Sequence, residues 1–170
     1  MMRCEKAYFA EYYRALQARV SSKINTAVGH YFIMKPNAGC QGRGIVVTND
    51  PLNAVDTLDH YIVQEYIARP MLVEGRKFDL RVYVLLTSIR HPSIFLFNDG
   101  LVRISAASYE PPTETNAKNT CMHLTNYAIN KKSAEYIYNT DVERFDLGNK
   151  RNFRFFNQWL GEQGHDSVLC

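Results

Sequence analysis

Residues 78–88 read FDLRVYVLLTS, a β-prone run from which the rest of the fold is predicted outward. Side chains alternate between the two faces of a strand, so Lys77, Asp79 and Arg81 share one face while apolar side chains occupy the other. Three neighbouring charges are costly on a sheet face unless that face is wet or binds a charged ligand. The same face turns apolar from Tyr83 onwards, so we expect the strand to enter the core beyond the charges.

The charged face has two explanations. A solvated face of an edge strand is the ordinary origin of such a pattern. A second strand candidate nearby favours a binding site, because Arg103 shares a face there with Leu101 and Ser105. Two arginines and a lysine that point inwards would form a clamp for a carboxylate or a phosphate.

A hairpin turn is predicted between the two halves of this second candidate. Residues 93–97 and 101–105 are β-prone, and Asn98-Asp99-Gly100 lies between them. An Asp-Gly pair accepts positive φ, which the tight turns of hairpins require.

The remaining elements follow from hydrophobic spacing and turn residues. The predictions are helices over 5–20, 51–58 and 153–160, strands over 31–34, 45–48 and 61–67, a connection over 21–29, and an irregular loop over 106–150. A loop of that length is usually functional or mobile. Helices around a mixed sheet give an α+β fold class.

The composition indicates an ordinary globular domain. The 170 residues are 46% hydrophobic and 22% charged, and the net charge of +3 is too small to argue for nucleic acid. The four cysteines are scattered without a CxxC pair, so we expect reduced thiols. Early charges interrupt any signal peptide, and no apolar run approaches the roughly 20 residues of a membrane span. We therefore expect a soluble, cytoplasmic monomer without nucleic-acid or membrane partners.

A glycine-rich segment, KPNAGCQGRGI at residues 35–45, lies between two predicted strands. Glycines let the backbone approach a ligand closely, and exposed N–H groups in such a loop attract anions. Lys35 and Arg43 add positive charge, which fits phosphate binding. The segment matches neither the P-loop nor the dinucleotide fingerprint, and a β-hairpin with a glycine-rich turn explains it equally well.

A polar segment at residues 121–131, CMHLTNYAINK, carries hydrogen-bonding side chains without a nucleophile–base pattern. A dyad of Cys121 and His123 can be imagined, but no orienting partner is visible. A histidine in such a setting is more often structural than catalytic.

Five motifs taken in order resemble the tubulin tyrosine ligase-like family over roughly residues 31–160. They are KPNAGCQGRGI, VQEYI, GRKFDLRVYVL, NDGLVRIS and MHLTNYAINK. The resemblance implies an ATP-grasp fold and an enzyme that joins an amino acid to tubulin or another protein. The glycine-rich segment looks most like the glutamate-adding branch. On this basis residues 1–30 would be an N-terminal helix and connection, and 31–170 a partial ATP-grasp domain.

The resemblance also assigns a set of nucleotide contacts. Lys35 would neutralise ATP phosphate, Gln41 and Gly42 would close over the nucleotide, and residues 64–67 would form the adenine hinge. The full set is Lys35, Gln41, Gly42, Gln64, Glu65, Tyr66, Ile67, Lys77, Phe78, Asp79, Thr125 and Asn126. Position 65 is glutamate where many relatives carry a basic residue, a change that a backbone contact would tolerate.

Amino-acid binding and catalysis involve a second set of residues in the same resemblance. Arg103, Tyr127 and Lys150 would hold the incoming free L-glutamate. Ala128 departs from the serine often found at its position, so one hydrogen bond to the amino acid would be missing. The expected catalytic residues are Lys77, Asp79, Arg81 and Arg103.

The implied reaction is ATP-dependent polyglutamylation of tubulin tails through an acyl phosphate. It depends on positioning and charge stabilisation more than on a covalent nucleophile. Mg²⁺ would bridge the phosphates, but no metal ligands are predicted within this chain. They are expected in a later segment of the family, so we expect the chain to be incomplete at both ends and inactive if it acts alone.

Two alternatives stay open beside this prediction. One is a non-catalytic remnant that binds nucleotide or microtubules. The other is an ATP-grasp ligase that modifies a protein other than tubulin. The expected location is the cytoplasm and cytoskeleton, including a cilium or basal body.

Overall fold

The computed structural model describes residues 2–21, 30–141 and 143–165. The chain divides into two compact units. Unit 1 comprises residues 1–70 and 110–119, and unit 2 comprises 71–109 and 120–170. Both contain helices and antiparallel sheet, which confirms the α+β class. Every strand pair among the described residues is antiparallel, whereas a mixed sheet was expected.

Unit 1 consists of one helix and a three-stranded sheet. Its elements are α1 (Met2–Ser21), β1 (Phe32–Pro36), β2 (Val46–Thr48), a 3₁₀ helix (Leu58–His60) and β3 (Tyr61–Glu65). The strand order is β2-β1-β3, so β3 lies at an edge of the sheet. The predicted connection at residues 22–29 lies outside the described residues.

Fewer aromatic side chains of α1 are buried than the helical spacing of its sequence predicts. Tyr13 is buried and stacks with Phe9, and both rings meet Phe32 edge-on at centroid distances of 5.6 and 6.0 Å. Tyr8 and Tyr12, which the helical pattern placed on the same face, are exposed.

The helix predicted over residues 51–58 is wrong. The segment forms turns and bends, and only its last residue joins a 3₁₀ helix. Asn53 donates to the Asp50 carboxylate at 3.0 Å, and the Asp50 N–H donates to the Thr48 hydroxyl at 3.0 Å. Such local side-chain bonds compete with a helix, and one turn cannot offset the cost of helix nucleation.

Unit 2 contains a four-stranded sheet with a helix packed on one face. The strands are β4 (Leu72–Val73), β5 (Arg76–Leu86), β6 (Ile94–Ile104) and β7 (Lys150–Asn152), in the order β4-β5-β6-β7. The helices are α2 (Thr120–His123), α3 (Tyr127–Asn130) and α4 (Phe153–Glu162). The core is formed by Val73, Val102, Ile104, Phe153, Phe155, Phe156 and Leu160.

The hairpin turn predicted at Asn98–Gly100 is wrong, because β6 continues through these residues. The strand is irregular here, since the β5–β6 register shifts between the pairs Val82–Gly100 and Val84–Leu96. The chain reverses earlier, where the Thr87 N–H donates to the Ser93 carbonyl at 3.1 Å. A Cβ on Gly100 would lie 2.6 Å from the Phe153 ring. The glycine is therefore required by the close approach of α4 rather than by positive φ.

Beyond Arg81, β5 does not enter the core, contrary to expectation. Tyr83 and Leu85 are 45% and 60% exposed. The outer half of the β5–β6 hairpin, residues 82–97, contributes no residue to the hydrophobic core of unit 2. Among the described residues, no helix combines the length and apolar character needed to cross a membrane.

Candidate functional site

The polar face of the unit 2 sheet brings several predicted site residues together. Phe78 and Leu80 pack against the core, which directs Asp79 to the opposite face. Asp79 pairs with Arg103 on β6, and Arg103 pairs with Lys150 on β7. Directly paired residues have neighbouring side chains, so an acid and two bases form one row across three strands.

The Asp79 carboxylate and the Arg103 guanidinium form a two-bonded ion pair. Arg103 donates through Nε to Oδ1 at 2.8 Å and through Nη2 to Oδ2. The hydrogen bonds that Arg103 donates to the Asp79 carboxylate raise the pKa of Arg103 above its ordinary value. Arg103 is thus engaged by a carboxylate within the chain through two of its five N–H groups, and three remain for other acceptors.

Lys150 and Tyr127, both predicted to hold glutamate, are in direct contact. The Lys150 Nζ lies 3.5 Å from the centroid of the Tyr127 ring, a close cation–π geometry. Lys131 lies near the same ring at 5.2 Å. No ion pair joins Lys150 to a carboxylate in the described part of the chain. A ligand carboxylate would therefore find an ammonium group held in place by an aromatic ring.

A cavity of about 390 Å³ opens beside this pair. Its volume is within the usual range of ligand-binding pockets. Its walls are formed by Leu101, Tyr127, Tyr136, Ile137, Tyr138, Asn139, Thr140, Asp141, Arg144, Phe145, Lys150, Arg151 and Asn152. Most of these residues belong to the 106–150 segment, which is largely irregular, as predicted.

The aromatic wall of the cavity is formed by three tyrosines. Tyr136 meets Tyr127 at 5.9 Å and Tyr138 at 4.8 Å, both edge-on. Burial, followed by the proximity of Tyr127 and Tyr138, raises the pKa of Tyr136 to about 12. Tyr136 therefore remains a neutral hydroxyl at physiological pH.

Two predicted nucleotide contacts, Thr125 and Asn126, lie at the start of α3. The Asn126 side chain does not cap this helix, although asparagine is a favoured capping residue. Its backbone carbonyl accepts from Asn130 instead, at 3.1 Å to the side-chain amide. The Asn126 amide is thus not committed to its own helix.

The other predicted residues of β5 differ in their surroundings. Lys77 lies 6.0 Å from the centroid of the Tyr109 ring, and Arg81 is exposed. Phe78 packs against Phe156 with ring centroids 5.2 Å apart. Because its side chain belongs to the core, any contact of Phe78 with a nucleotide would have to come through its backbone.

Within unit 1, the glycine-rich segment has the backbone that its sequence suggested. Gln41, Gly42 and Gly44 have φ values of 63°, 81° and 72°. The segment joins the antiparallel strands β1 and β2, so it is a hairpin with a glycine-rich turn, the alternative that the sequence left open. The N–H groups of Arg43 and Ile45 donate within the turn, to the Cys40 and Gly42 carbonyls at 3.2 and 3.4 Å. Lys35 extends from β1 and donates to the Gln64 side chain at 2.7 Å.

The edge strand β3 carries the predicted adenine hinge. The Tyr66 N–H donates to the Tyr31 carbonyl at 2.8 Å, on the side of β1. Backbone groups alternate between the two sides of a strand, so those of Glu65 are directed away from β1. The Ile67 side chain is 72% exposed. Within the predicted hinge at 64–67, the backbone of Glu65 is therefore not bonded to β1, whereas the Tyr66 N–H is.

Potential metal-ligating side chains are not clustered among the described residues. Among them, no three His, Cys, Asp or Glu side chains come close enough together to hold a metal ion. Asp79 is engaged by Arg103, as described above. Mg²⁺ prefers one or two free carboxylates in addition to phosphate oxygens.

Two buried asparagines, Asn130 and Asn149, were not predicted from the sequence, although they bond to the backbone around the cavity-lining segment. Asn130 accepts from the Ala106 N–H at 2.7 Å and donates to the Leu124 carbonyl at 2.7 Å. Asn149 donates to the Ser105 carbonyl at 2.9 Å and accepts from Ile137 at 2.8 Å. Both lie in or next to segments already singled out, but hydrophobic periodicity does not mark buried amides. Tyr136 was missed because it lies in an irregular segment, where there is no helical or strand period to mark it.

Comparison with known proteins identifies relatives for most of the chain. The model of the tubulin-tyrosine ligase family matches residues 3–167. A probable beta-tubulin polyglutamylase of Tetrahymena thermophila is 45% identical over 79% of the chain and 11% of its own length. The tubulin polyglutamylase TTLL13 of Mus musculus is 43% identical over 79% of the chain and 16% of its own length. The tubulin polyglutamylase TTLL7 of Mus musculus is 41% identical over 95% of the chain and 17% of its own length.

These relatives are far longer than the sequence described. The chain spans between 11% and 17% of their lengths. The family match nevertheless covers nearly every residue of the chain. The chain belongs to the tubulin-tyrosine ligase family.

Proposed function

We propose that the chain contributes to an ATP-dependent ligase that adds glutamate to the glutamate side chains of tubulin tails. Support comes from relatives named as tubulin polyglutamylases at 41–45% identity. The structural observation that carries the proposal is the contact of Lys150 with Tyr127 beside a cavity of about 390 Å³. An ammonium group without a carboxylate partner among the described residues is suited to an acidic amino acid.

Each unit contains residues that the resemblance assigns to nucleotide binding. In unit 1, Lys35 and the loop at Gln41 and Gly42 would meet phosphates, and the backbone of Glu65 and Ile67 would meet the adenine edge. In unit 2, the residues predicted to contact the nucleotide are Lys77, Phe78, Asp79, Thr125 and Asn126. ATP supplies the phosphoryl group that activates the acceptor carboxylate for attack by an amine.

The incoming L-glutamate would be bound by Arg103, Tyr127 and Lys150. Lys150 is available for a carboxylate, whereas two N–H groups of Arg103 are already donated to Asp79. A ligand carboxylate in place of Asp79 would accept the same two hydrogen bonds from Arg103. Arg81 is exposed on the same sheet face and would add positive charge towards the acidic acceptor.

This proposal implies where the protein acts. A tubulin tail as the acceptor places it on microtubules, in the cytoplasm and in the axoneme of a cilium or at a basal body. The ATP-grasp architecture that the resemblance implies belongs to the same proposal.

The test of the nucleotide site is calorimetric titration of ATP, with Mg²⁺ in the buffer, into the 170-residue chain and into Lys35→Ala. Loss of a phosphate-binding ammonium is expected to weaken binding roughly tenfold or more. Lys118→Ala is the matched control, since Lys118 is an exposed lysine of unit 1 with no proposed role. A folded chain that binds no ATP, or equal binding by Lys35→Ala, would contradict the proposed nucleotide site.

A further inference from the structure

Tyr136 is a cavity residue to which neither the resemblance nor the comparisons assign a role. Its ring stands between two others, edge-on to Tyr127 at an interplanar angle of 62° and to Tyr138 at 69°. It is partly buried, whereas Tyr138 and Tyr127 are more than one third exposed. Tyr136 is therefore the inner member of the aromatic wall.

The Tyr127 ring needs support from outside its own helix. It lies on α3, which has only four residues, Tyr127–Asn130. A single turn of helix is not stable without packing, so it cannot by itself hold a side chain in one rotamer. The ring nevertheless has a defined position, with the Lys150 Nζ 3.5 Å from its centroid. The edge of Tyr136 supplies a packing contact that restricts it.

The backbone that carries Tyr136 is anchored on both sides. The Tyr136 N–H donates to the Ser133 carbonyl at 3.2 Å. The next residue, Ile137, exchanges hydrogen bonds with Asn149, whose N–H donates to the Ile137 carbonyl at 3.1 Å and whose side chain accepts at 2.8 Å. Asn149 directly precedes Lys150, so the same anchor fixes the backbone next to Tyr136 and next to Lys150, the two residues that contact the Tyr127 ring.

We propose that Tyr136 is a positioning residue of a carboxylate-binding site: its ring holds Tyr127, and the face of Tyr127 holds the Lys150 ammonium at the cavity. The ligand is an α-amino dicarboxylate or a glutamate side chain, recognised through the carboxylate. This inference rests on the proposed function and adds to it a residue that acts through its contact with Tyr127.

The ring of Tyr136, and not its hydroxyl, carries this role. The hydroxyl stays protonated at physiological pH, since the pKa of Tyr136 is raised to about 12. It therefore brings no charge to the site, and the edge contacts with Tyr127 and Tyr138 are made by an aromatic ring. Phenylalanine preserves those contacts, whereas leucine removes them.

The first arm of the test needs no ligand. A lysine methylene next to the ammonium that lies over an aromatic face has its NMR signals displaced upfield by the ring current. We expect the displaced Lys150 signals in the wild-type chain and in Tyr136→Phe, and their return towards ordinary positions in Tyr136→Leu. If folded Tyr136→Leu keeps the displaced signals, the positioning role is overturned.

The second arm titrates free L-glutamate and a capped Gly-Glu-Gly peptide into the same three chains. Tyr136→Leu is expected to lose roughly three- to tenfold in affinity, the range of an aromatic pair, while Tyr136→Phe stays within about twofold. Weakening of free glutamate assigns the site to the incoming amino acid, and weakening of the peptide alone assigns it to the acceptor. Equal affinity of Tyr136→Leu and wild type for both ligands overturns the proposal.

Controls separate this inference from the proposed function. ATP affinity should be unchanged in Tyr136→Leu, and Tyr8→Leu, at an exposed tyrosine of unit 1, should change neither readout. If Tyr136→Leu does not fold, Tyr136→Met keeps the apolar volume without a ring and takes its place. A wild-type chain that binds neither ligand would contradict the glutamate site of the proposed function, while the ring-current arm still decides the role of Tyr136.

Discussion

The side chain of Arg151 is only 9% exposed, and three kinds of contact hold it within unit 2. It donates to the two carboxylate oxygens of Glu74 at 2.6 and 2.7 Å and to the Gly148 carbonyl at 3.0 Å. Its guanidinium also lies 4.2 Å from the centroid of the Phe155 ring. Arg151 thus joins β7 to the loop between β4 and β5.

Replacing Glu74 with glutamine is expected to lower the free energy of unfolding by about 1 kcal/mol. A charge-assisted pair is worth more than this when buried, but Glu74 is 51% exposed and solvent screens its charge. Urea denaturation at pH 7 measures the difference. Glu135→Gln is the control, because Glu135 is exposed and no ion pair involves it among the described residues.

The pH dependence of this difference has a defined sign. The hydrogen bonds from Arg151 lower the pKa of Glu74 below its ordinary value of 4.5. A lowered pKa stabilises the folded chain above that value, and the contribution is lost as the pH falls through the folded-state pKa. Wild type and Glu74→Gln should therefore differ between pH 6 and 8 and converge in acid. A difference that persists unchanged at low pH would contradict the ion-pair explanation.

At the scale of elements, unit 2 depends on the close contact between β6 and α4. The Asp99 carboxylate accepts from the Phe153 N–H at 3.0 Å, next to the first turn of α4. Asn152 caps the same helix by accepting from Phe155 at 3.1 Å. Gly100 removes the side chain that would separate the two elements. The apolar face of α4 can therefore cover Val102 and Ile104 on β6.

Gly100→Ala is expected to destabilise the chain by roughly 1–3 kcal/mol, the usual cost of overpacking. The added Cβ would lie 2.4 Å from the Arg81 carbonyl oxygen and 2.6 Å from the Phe153 ring, so backbone or helix must shift. Gly161→Ala provides the matched control. Gly161 lies within α4 with nothing near its missing Cβ, so alanine there should be neutral or stabilising by up to about 1 kcal/mol. Thermal unfolding of both variants checks the pair, and equal stability would contradict the packing argument.

For the whole molecule, the most consequential surface is the outer half of the β5–β6 hairpin. Apolar side chains are at least 43% exposed on both of its faces. They are Val82, Tyr83, Val84, Leu85, Leu86, Ile94, Phe95, Leu96 and Phe97. A long, apolar and exposed hairpin is a template for association with other chains.

We expect the isolated 170-residue chain to self-associate as its concentration rises, and the hairpin to be responsible. Leu85 and Phe95 are a direct cross-strand pair. The double variant Leu85→Lys with Phe95→Glu places opposite charges there, which preserves pairing and removes apolar surface. Sedimentation velocity should show less association for this variant than for wild type or for Tyr8→Lys, an exposed aromatic elsewhere. Undiminished association would show that another surface is responsible.

Local patterns predicted what depends on local physics. The alternation along residues 77–81 correctly separated Asp79 from Phe78, because the period of a strand is a property of the backbone alone. The apolar spacing after Phe153 correctly predicted α4 for the same reason. The motif resemblance led to the family that the comparison with known proteins establishes.

Long-range packing decided the rest. Asp99-Gly100 has the chemistry of a turn, but Phe153 packs against it from a distant part of the chain, and the segment stays within β6 with only a shift in register. The contact of Tyr136 with Tyr127, and of Tyr127 with Lys150, joins residues whose spacing follows no period. The amino-acid sequence was therefore sufficient for the family, the α+β class and the two faces of β5 over residues 77–81, which arise from neighbours along the chain. The cavity, the engagement of Arg103 by Asp79 and the exposed hairpin required the folded structure, because each depends on which distant surfaces meet.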